Sequence, residues 1–380
     1  MRAEDLTVSF EGEAVLVRAI PRGIGAKVPA VAVSLLAFFA TPKSREQAAQ
    51  AFGPRIAPLV DGLADAGLLV DPAAADDTPI FFGGFGRVDV HRRMIEDEVR
   101  VDAYAAAIAA TVTPGMRVVD AGTGTGVLGL MAAAKGAQVV GIDNTDVLEI
   151  AAEVVRASGA SEHMQLVRGD FATAEVPEPA DLVITETFGA LALCEGAARD
   201  LQRGTSRWLA PDGAVMPRAI ALHFAPIGSA AVYQRAVEVF DERHGVDLRP
   251  LRQLATTRGA TLSVQPEELA APGQPVIALR FPADEGGQGD ARFAVDGTVY
   301  GLVGWFVLDL CEGVSLPTGP GDPHTHWRQV VLPWPSPQAL HGELEVRLSV
   351  QPDPADRRGL EVECTWRCGD KSGRAVHRVR

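Results

Sequence analysis

Cysteine is scarce in this chain of 380 residues, which contains only four, at positions 194, 311, 364 and 368. None stands near a histidine at the spacing of a zinc site. The closest pair, in Cys364-Thr365-Trp366-Arg367-Cys368, is typical of a strand rather than of a metal knuckle. We therefore expect no metal centre, and a cytoplasmic protein with reduced thiols.

Long apolar runs and an excess of basic charge are also missing. The longest apolar run covers residues 28–40 and contains a proline and a serine, so it is too short to span a membrane. The start, Met1-Arg2-Ala3-Glu4-Asp5, lacks the features of a signal peptide. The net charge of −14 argues against nucleic acid as a partner, although it is compatible with a basic substrate.

The first 74 residues are expected to form a small domain. An alternating segment at 14–20 predicts a strand, and three helices are expected over 31–39, from Ser44 to Gly53, and over 54–67. A returning strand at 68–70 and a linker at 71–77 complete the domain. This is a winged-helix plan, and it resembles the PqqD-like peptide-recognition domain of enzymes that modify ribosomally made peptides.

That resemblance implies that the N-terminal domain binds the leader of a precursor peptide by strand addition. A structural or DNA-binding winged helix is the alternative. Acidic and basic residues are nearly balanced in this segment, which makes DNA the poorer candidate.

Two further domains are expected. Residues 79–217 alternate strands (117–120, 138–143, 165–170 and 182–186) with helices, after a leading helix over 90–110, which predicts an α/β Rossmann-like domain. Residues 218–380 carry alternating segments with turn signals, such as 344–350 and 360–366, which predict antiparallel β structure. An insertion at about 230–256 is expected to be helical.

A glycine-rich turn, Asp120-Ala121-Gly122-Thr123-Gly124-Thr125-Gly126, joins the first buried strand to a helix. Such a turn allows close approach of the backbone to a ligand, and suits a dinucleotide as well as S-adenosyl-L-methionine. Asp120 is placed to receive an ammonium group, and Asp143 can accept ribose hydroxyls at the end of the next strand. These acids favour S-adenosyl-L-methionine. Asp170 is a candidate for the adenine amino group, with a surface turn as the alternative.

Two glutamates, Glu186 and Glu195, flank a largely apolar loop after the fourth strand. Paired carboxylates in a poorly hydrated site are costly unless a cation joins them. The loop therefore predicts a positively charged nitrogen, a guanidinium or an amine, as the acceptor. In the alternative, Glu186 alone is functional and Glu195 starts an exposed helix.

Over roughly residues 80–376 the chain resembles the protein arginine methyltransferase family. The matching motifs are the helix at 91–100, the cofactor loop at 120–126, the two glutamates at the family spacing, the segment 208–217 and Thr325-His326-Trp327. The resemblance implies a β-barrel for the C-terminal domain. It also implies a homodimerisation arm at 230–256.

The resemblance further assigns roles to individual residues. It implies that His91 and Arg100 bind the cofactor, that Met94 lies near the reacting methyl, and that His326 pairs with Asp97. Phe85 is expected at the cofactor, and Phe81 and Trp327 at the substrate.

The chain also departs from the family. Its paired tyrosines are replaced within Phe81-Phe82-Gly83-Gly84-Phe85, and the loop positions that shape the acceptor pocket hold Thr187, Ala190 and Ala197. The pocket is therefore expected to be wider than one shaped for a flat guanidinium.

The sequence thus predicts an S-adenosylmethionine-dependent N-methyltransferase acting on a cationic nitrogen of a leader-bearing precursor peptide. The acceptor would be an arginine or an amine such as a modified C-terminus. The alternatives are a conventional protein arginine methyltransferase, a small-molecule guanidine or amine methyltransferase and, in a different class, an inactive peptide-binding scaffold.

Overall fold

The computed structural model describes residues 6–11, 14–19, 24–40, 43–66, 68–69 and 88–380. By internal contacts the chain divides into two compact units. One comprises the described residues up to Arg92 together with Asn144–Ile150, and the other comprises the remainder.

The N-terminal unit opens with a three-stranded antiparallel sheet, β1 (Leu6–Glu11), β2 (Ala14–Ala19) and β3 (Ile24–Val28), in the order β1-β2-β3. Strands β1 and β3 were not expected, although Leu6, Val8 and Phe10 alternate with polar residues along β1, a pattern that is typical of a strand. Helices α1 (Val31–Phe38), α2 (Arg45–Phe52) and α3 (Ala57–Asp65) follow, close to the expected bounds.

Helix α2 begins as the sequence predicts, since Ser44 accepts a hydrogen bond from the Gln47 backbone and Gln47 returns one. This unit has its own hydrophobic core, which includes Val15, Val17, Leu35 and Leu63. Of the expected strand at 68–70, the structure describes Leu68 and Leu69, and Leu69 forms a β-bridge.

The leading helix is broken in two, α4 (Val88–Glu96) and α5 (Glu98–Thr111). Asp97 lies at the break and caps α5, because its carboxylate accepts a hydrogen bond from the Arg100 backbone N–H. The expected single helix over 90–110 is therefore wrong at this residue.

A five-stranded parallel sheet forms the core of the Rossmann-like domain, in the order β6-β5-β4-β7-β8. Its strands are β4 (Arg117–Ala121), β5 (Gln138–Asp143), β6 (Met164–Arg168), β7 (Ala180–Thr185) and β8 (Leu209–Met216). Helices α6 (Val127–Ala134), α7 (Val147–Ala157) and α8 (Ala197–Trp208) connect them.

The C-terminal domain is an eight-stranded antiparallel sheet, in which β9 (Ala219–Pro226), β14 (Gly287–Cys311) and β16 (Gln329–Asp353) are adjacent. Strand β13 (Gln274–Arg280) pairs with β9, while β17 (Asp356–Cys368) and β18 (Lys371–Val379) extend the other side. Strands β12 (Ala260–Leu262) and β15 (Val314–Pro317) pair with β16 and β14.

The insertion at 230–256 is only partly helical. Helix α9 (Ala230–Tyr233) continues as a π-helical turn, and α10 (Pro250–Ala255) ends the insertion. A short hairpin, β10 (Glu242–Arg243) and β11 (Val246–Asp247), lies between them and was not expected.

No helix within the described residues is long and apolar enough to cross a membrane. The four cysteines are free thiols, and Cys364 and Cys368 lie on a strand as expected.

Candidate active site

The glycine-rich turn connects β4 to α6 at the carboxyl edge of the parallel sheet. Gly122, Gly124 and Gly126 adopt φ values of 77°, 54° and 86°, a region that favours glycine. A Cβ at Gly122 would collide with the methyl of Thr187, so the turn packs directly against the loop that carries the two glutamates.

Asp120 is buried beneath this turn. Its Oδ2 accepts hydrogen bonds from the Thr123 hydroxyl at 2.6 Å and the Gly129 backbone N–H at 2.9 Å. Burial raises the pKa of Asp120 to about 6, and these hydrogen bonds oppose the shift. The visible role of this carboxylate is to tie the glycine turn to α6, and its contact with an ammonium group stays a prediction.

The next two acids differ from one another. Asp143 ends β5 as expected, and its Oδ2 accepts a hydrogen bond from the Gly124 backbone N–H at 3.0 Å. Asp170 lies beyond the end of β6, is exposed, and directs Oδ1 to the backbone N–H groups of Ala172 and Thr173. Asp170 therefore closes a surface turn, and its contact with the adenine amino group stays a prediction.

Arg100 is buried on α5 and bridges two parts of the site. Its Nη1 pairs with the carboxylate of Glu186, and its Nη2 donates to the carbonyl of the half-buried Met94. Its Nε is buried and has no hydrogen-bond partner among the described residues. A buried, unsatisfied guanidinium N–H fits the carboxylate of an amino-acid-bearing cofactor.

The remaining expected cofactor and substrate residues are less informative. His91 is buried on α4. Phe81 and Phe85 lie outside the described residues, so their expected contacts stay predictions.

The loop between the two glutamates has a strained backbone. Leu191, Ala192 and Glu195 adopt φ values of 51°, 58° and 75°, which non-glycine residues rarely do. Such residues cost ~1–3 kcal/mol each and persist where the surroundings hold them. Burial raises the pKa of Glu195 to about 7, although the charge of Arg358 acts in the opposite direction.

Three side chains from outside the loop hold its backbone. The Tyr104 hydroxyl donates to the carbonyl of Thr185 at 2.8 Å, just before Glu186. The Trp327 indole N–H donates to the carbonyl of Phe188 at 2.6 Å, and Arg358 Nη1 donates to the carbonyl of Glu195 at 2.7 Å. Trp327 thus braces the loop while itself buried, and its expected contact with substrate stays a prediction.

Tyr104 and Arg358 were missed in the sequence. Tyr104 could have been found, because it stands four residues after Arg100 on the same face of α5. Arg358 gives no local signal, since it is separated from Glu195 by 163 positions.

The pair expected from the resemblance, Asp97 and His326, is present. His326 donates its backbone N–H to Asp97 Oδ2 at 2.9 Å, and its ring Nδ1 lies 2.8 Å from the same oxygen. Burial alone would raise the pKa of Asp97, but hydrogen bonds from His326 and Arg100 hold it below its ordinary value. No cluster of metal-ligating side chains occurs in the part of the chain that the structure describes.

Two family models match the chain. Residues 118–213 match a methyltransferase domain, and residues 218–371 match the arginine methyltransferase oligomerization subdomain. Both leave residues 1–117 outside their ranges.

Relatives and solved structures agree with these models. The probable protein arginine N-methyltransferase 6 of Arabidopsis thaliana is 32% identical over 187 residues, covering 48% of this chain and 43% of that protein. The probable protein arginine N-methyltransferase 6.1 of Oryza sativa subsp. japonica is 25% identical over 348 residues, covering 77% and 88%.

The Trypanosoma brucei PRMT1 enzyme–prozyme heterotetrameric complex with AdoHcy gives a TM-score of 0.73 at 22% identity, covering 78% of this chain and 99% of that one. Arabidopsis thaliana protein arginine methyltransferase 10 gives 0.68 at 21% identity, covering 79% and 100%. These two structures support the fold, a Rossmann-like domain followed by an antiparallel sheet domain. Together with the family models and the relatives, they show that the chain is similar to protein arginine methyltransferases over its Rossmann-like and sheet domains, and that it is an N-methyltransferase that uses S-adenosyl-L-methionine.

Proposed function

We propose that this chain methylates a guanidinium nitrogen of an arginine in a protein or peptide. The observation that carries the proposal is the braced loop, which presents two acids, Glu186 and Glu195, between the Rossmann-like domain and the sheet domain. The names of the relatives support the same substrate class. They favour this conventional activity over the leader-guided peptide modification expected from the sequence.

Glu186 already contacts a guanidinium in the structure, that of Arg100. Its carboxylate is therefore oriented toward a planar cation in a buried setting, where charge-assisted hydrogen bonds contribute ~1.5–3 kcal/mol each. A second acid on the same loop supplies the remaining charge that an arginine substrate needs.

The cofactor supplies an electrophilic methyl group on a sulfonium. The protein holds the acceptor nitrogen in line with that carbon, which is mainly a matter of positioning and charge. As the N–C bond forms and the S–C bond breaks, with S-adenosyl-L-homocysteine as the leaving group, one N–H proton must leave the substrate, and Glu186 and Glu195 are the candidate groups to accept that proton. Glu195, with a pKa of about 7, is close to the value that suits a general base at neutral pH.

An amine acceptor is the second candidate, because Thr187, Ala190 and Ala197 are small. The structure places Ala197 in the core and turns the Thr187 methyl toward Gly122. A wider pocket therefore stays a prediction for the half-buried Ala190 alone.

Homodimerisation through the insertion at 230–256 is part of the proposal. Four of its apolar side chains are exposed, namely Val239, Val246, Leu251 and Leu254. Exposed apolar side chains concentrated on one segment are typical of an interface.

The N-terminal unit is a candidate for peptide recognition. Its sheet of β1, β2 and β3 has two outer strands, and an extended peptide can add to such an edge. A leader-bearing precursor is accordingly kept as the second candidate substrate.

The experiment is tandem mass spectrometry of arginine-containing and amine-containing peptides after reaction with isotopically labelled S-adenosyl-L-methionine. Label on a guanidinium nitrogen is expected, and label confined to amines, carbon or oxygen would overturn the proposal. Removal of residues 1–74 then distinguishes a conventional arginine methyltransferase from an enzyme guided by a leader peptide. A conventional enzyme keeps its turnover of arginine peptides, whereas a leader-guided enzyme loses it while still binding the cofactor.

A further inference from the structure

Arg358 reaches the acceptor loop from the sheet domain. It stands near the start of β17, its side chain is 6% exposed, and its Nη1 lies 2.7 Å from the carbonyl oxygen of Glu195. No motif of the sequence pointed to Arg358. It contacts Glu195, the residue that is proposed to bind the positively charged nitrogen of the substrate.

The backbone of Glu195 needs such a contact. Glu195 and Gly196 both lie in the left-handed region, with φ values of 75° and 73°. A glycine adopts this conformation without strain, but a glutamate does not. A fixed donor on the Glu195 carbonyl stabilises the turn in which the side chain is presented.

The charge of Arg358 matters as well as its hydrogen bond. Burial opposes ionisation of Glu195, and the nearby guanidinium favours it. The other charged groups at this point are Asp200, whose Oδ2 is 3.9 Å from Arg358 Nη1, and Arg199, whose Nε is 3.6 Å from Asp200 Oδ1. The neighbouring Cys194 is a thiol whose pKa burial raises beyond the neutral range, so it stays uncharged.

Asp356 on β17 is another acid in this region, and its Oδ2 lies 3.3 Å from Nε of Arg380. Removing the Arg358 guanidinium would take away the charge that favours ionisation of the buried Glu195.

We propose that Arg358 is a positioning residue for the methyl transfer, which holds Glu195 in its left-handed turn and keeps its carboxylate ionised for the acceptor. The inference rests on the proposed function, because it gives Glu195 the task of binding a cationic nitrogen.

The test compares Arg358→Lys, which keeps the charge, with Arg358→Gln, which keeps a donor without the charge. Arg374→Gln is the matched control, since it removes an arginine from the adjacent strand β18 that pairs at the surface with Glu363. The pH dependence of kcat/KM for an arginine peptide is measured for each full-length variant, with cofactor affinity by calorimetry and thermal unfolding as checks on folding.

The acidic limb of kcat/KM is expected to move upward by about one pH unit in Arg358→Gln, since an opposite charge nearby lowers a carboxyl pKa by ~1–3 units. In Arg358→Lys, and in the control Arg374→Gln, the acidic limb of kcat/KM is expected at nearly the same pH as in the wild type. If kcat/KM fell by the same factor at every pH in both Arg358 variants, and the acidic limb did not shift, Arg358 would have only a structural role and the inference would be overturned. Wild-type protein that methylates no arginine peptide would instead overturn the proposed function.

Discussion

The ring of His326 and its own backbone N–H converge on one oxygen of Asp97, at 2.8 and 2.9 Å. The other oxygen of Asp97 caps α5. A single buried carboxylate thus fixes the start of the helix that carries Arg100 and the loop of the sheet domain that carries Trp327.

Asp97→Ala is expected to lower the free energy of unfolding by about 2 kcal/mol, because a helix cap and a buried charged hydrogen bond are both lost. It should also reduce kcat/KM at least about tenfold. In a double-mutant cycle with His326→Ala, denaturant unfolding and initial rates should show coupling of ~1–3 kcal/mol.

A matched pair for this cycle is His341 with Asp296, which meet at 2.6 Å but are largely exposed. Its coupling is expected to be under about 1 kcal/mol. Strictly additive losses for Asp97 and His326 would contradict a shared role.

Glu195 should produce opposite pH trends in activity and stability. Its pKa rises on folding to about 7 from an ordinary value of 4.5, so the folded state binds more protons than the unfolded chain between these values. The free energy of unfolding should therefore fall as the pH rises through this window, while kcat/KM rises because the acceptor needs the carboxylate.

Glu195→Gln removes that ionisation. Above pH 7 the variant should be more stable than the wild type by about 3 kcal/mol, with the difference vanishing below pH 4.5. Its methyl transfer should be largely lost. Chemical denaturation across pH 4–8 gives the answer, and a pH-independent difference between the two proteins would be inconsistent with a buried, titrating Glu195.

Gly122→Ala should abolish cofactor binding, since the added methyl meets Thr187 and the φ of 77° is unfavourable for alanine. Gly115→Ala is the control, with a φ of 84° but open space around the new methyl. Calorimetry should show normal cofactor affinity in the control, together with a stability loss of ~1 kcal/mol from backbone strain. Equal affinities in both variants would mean that the glycine turn does not approach the ligand.

Leu254→Asp should convert a dimer into a monomer, because Leu254 is 52% exposed on α10 and would lie within the proposed interface. Light scattering after size-exclusion chromatography measures the change. Val31→Asp, at a residue 44% exposed on α1, should leave the assembly intact. A wild-type protein that is monomeric at micromolar concentration would contradict the assignment of the arm.

The sequence predicted best what depends on local pattern. Strand β5 ends at Asp143 as expected, because a buried parallel strand followed by an acid has a clear boundary. Asp170 shows where this reasoning fails, since its expected strand ends two residues earlier and the acid closes its own turn. Short side-chain turns of this kind compete with strand extension and leave no periodic signal.

The contacts that assemble the site were harder to predict. The pairing of Asp97 with His326 came only from resemblance, and Arg358 was not anticipated, because hydrogen bonds between distant segments depend on tertiary packing. The hairpin of β10 and β11 was missed for a related reason, as two-residue strands lack any usable alternation.

Tyr104, Trp327 and Arg358 hold the acceptor loop by three hydrogen bonds, and all three end on backbone carbonyls. Every residue type supplies such a carbonyl, so side chains such as Ala190 can be exchanged without removing a single one of these supports. Substitutions in this loop can therefore change which acceptor the enzyme prefers while the backbone conformation is kept by the surrounding residues. Saturation mutagenesis of the loop is a route to redesigning that preference.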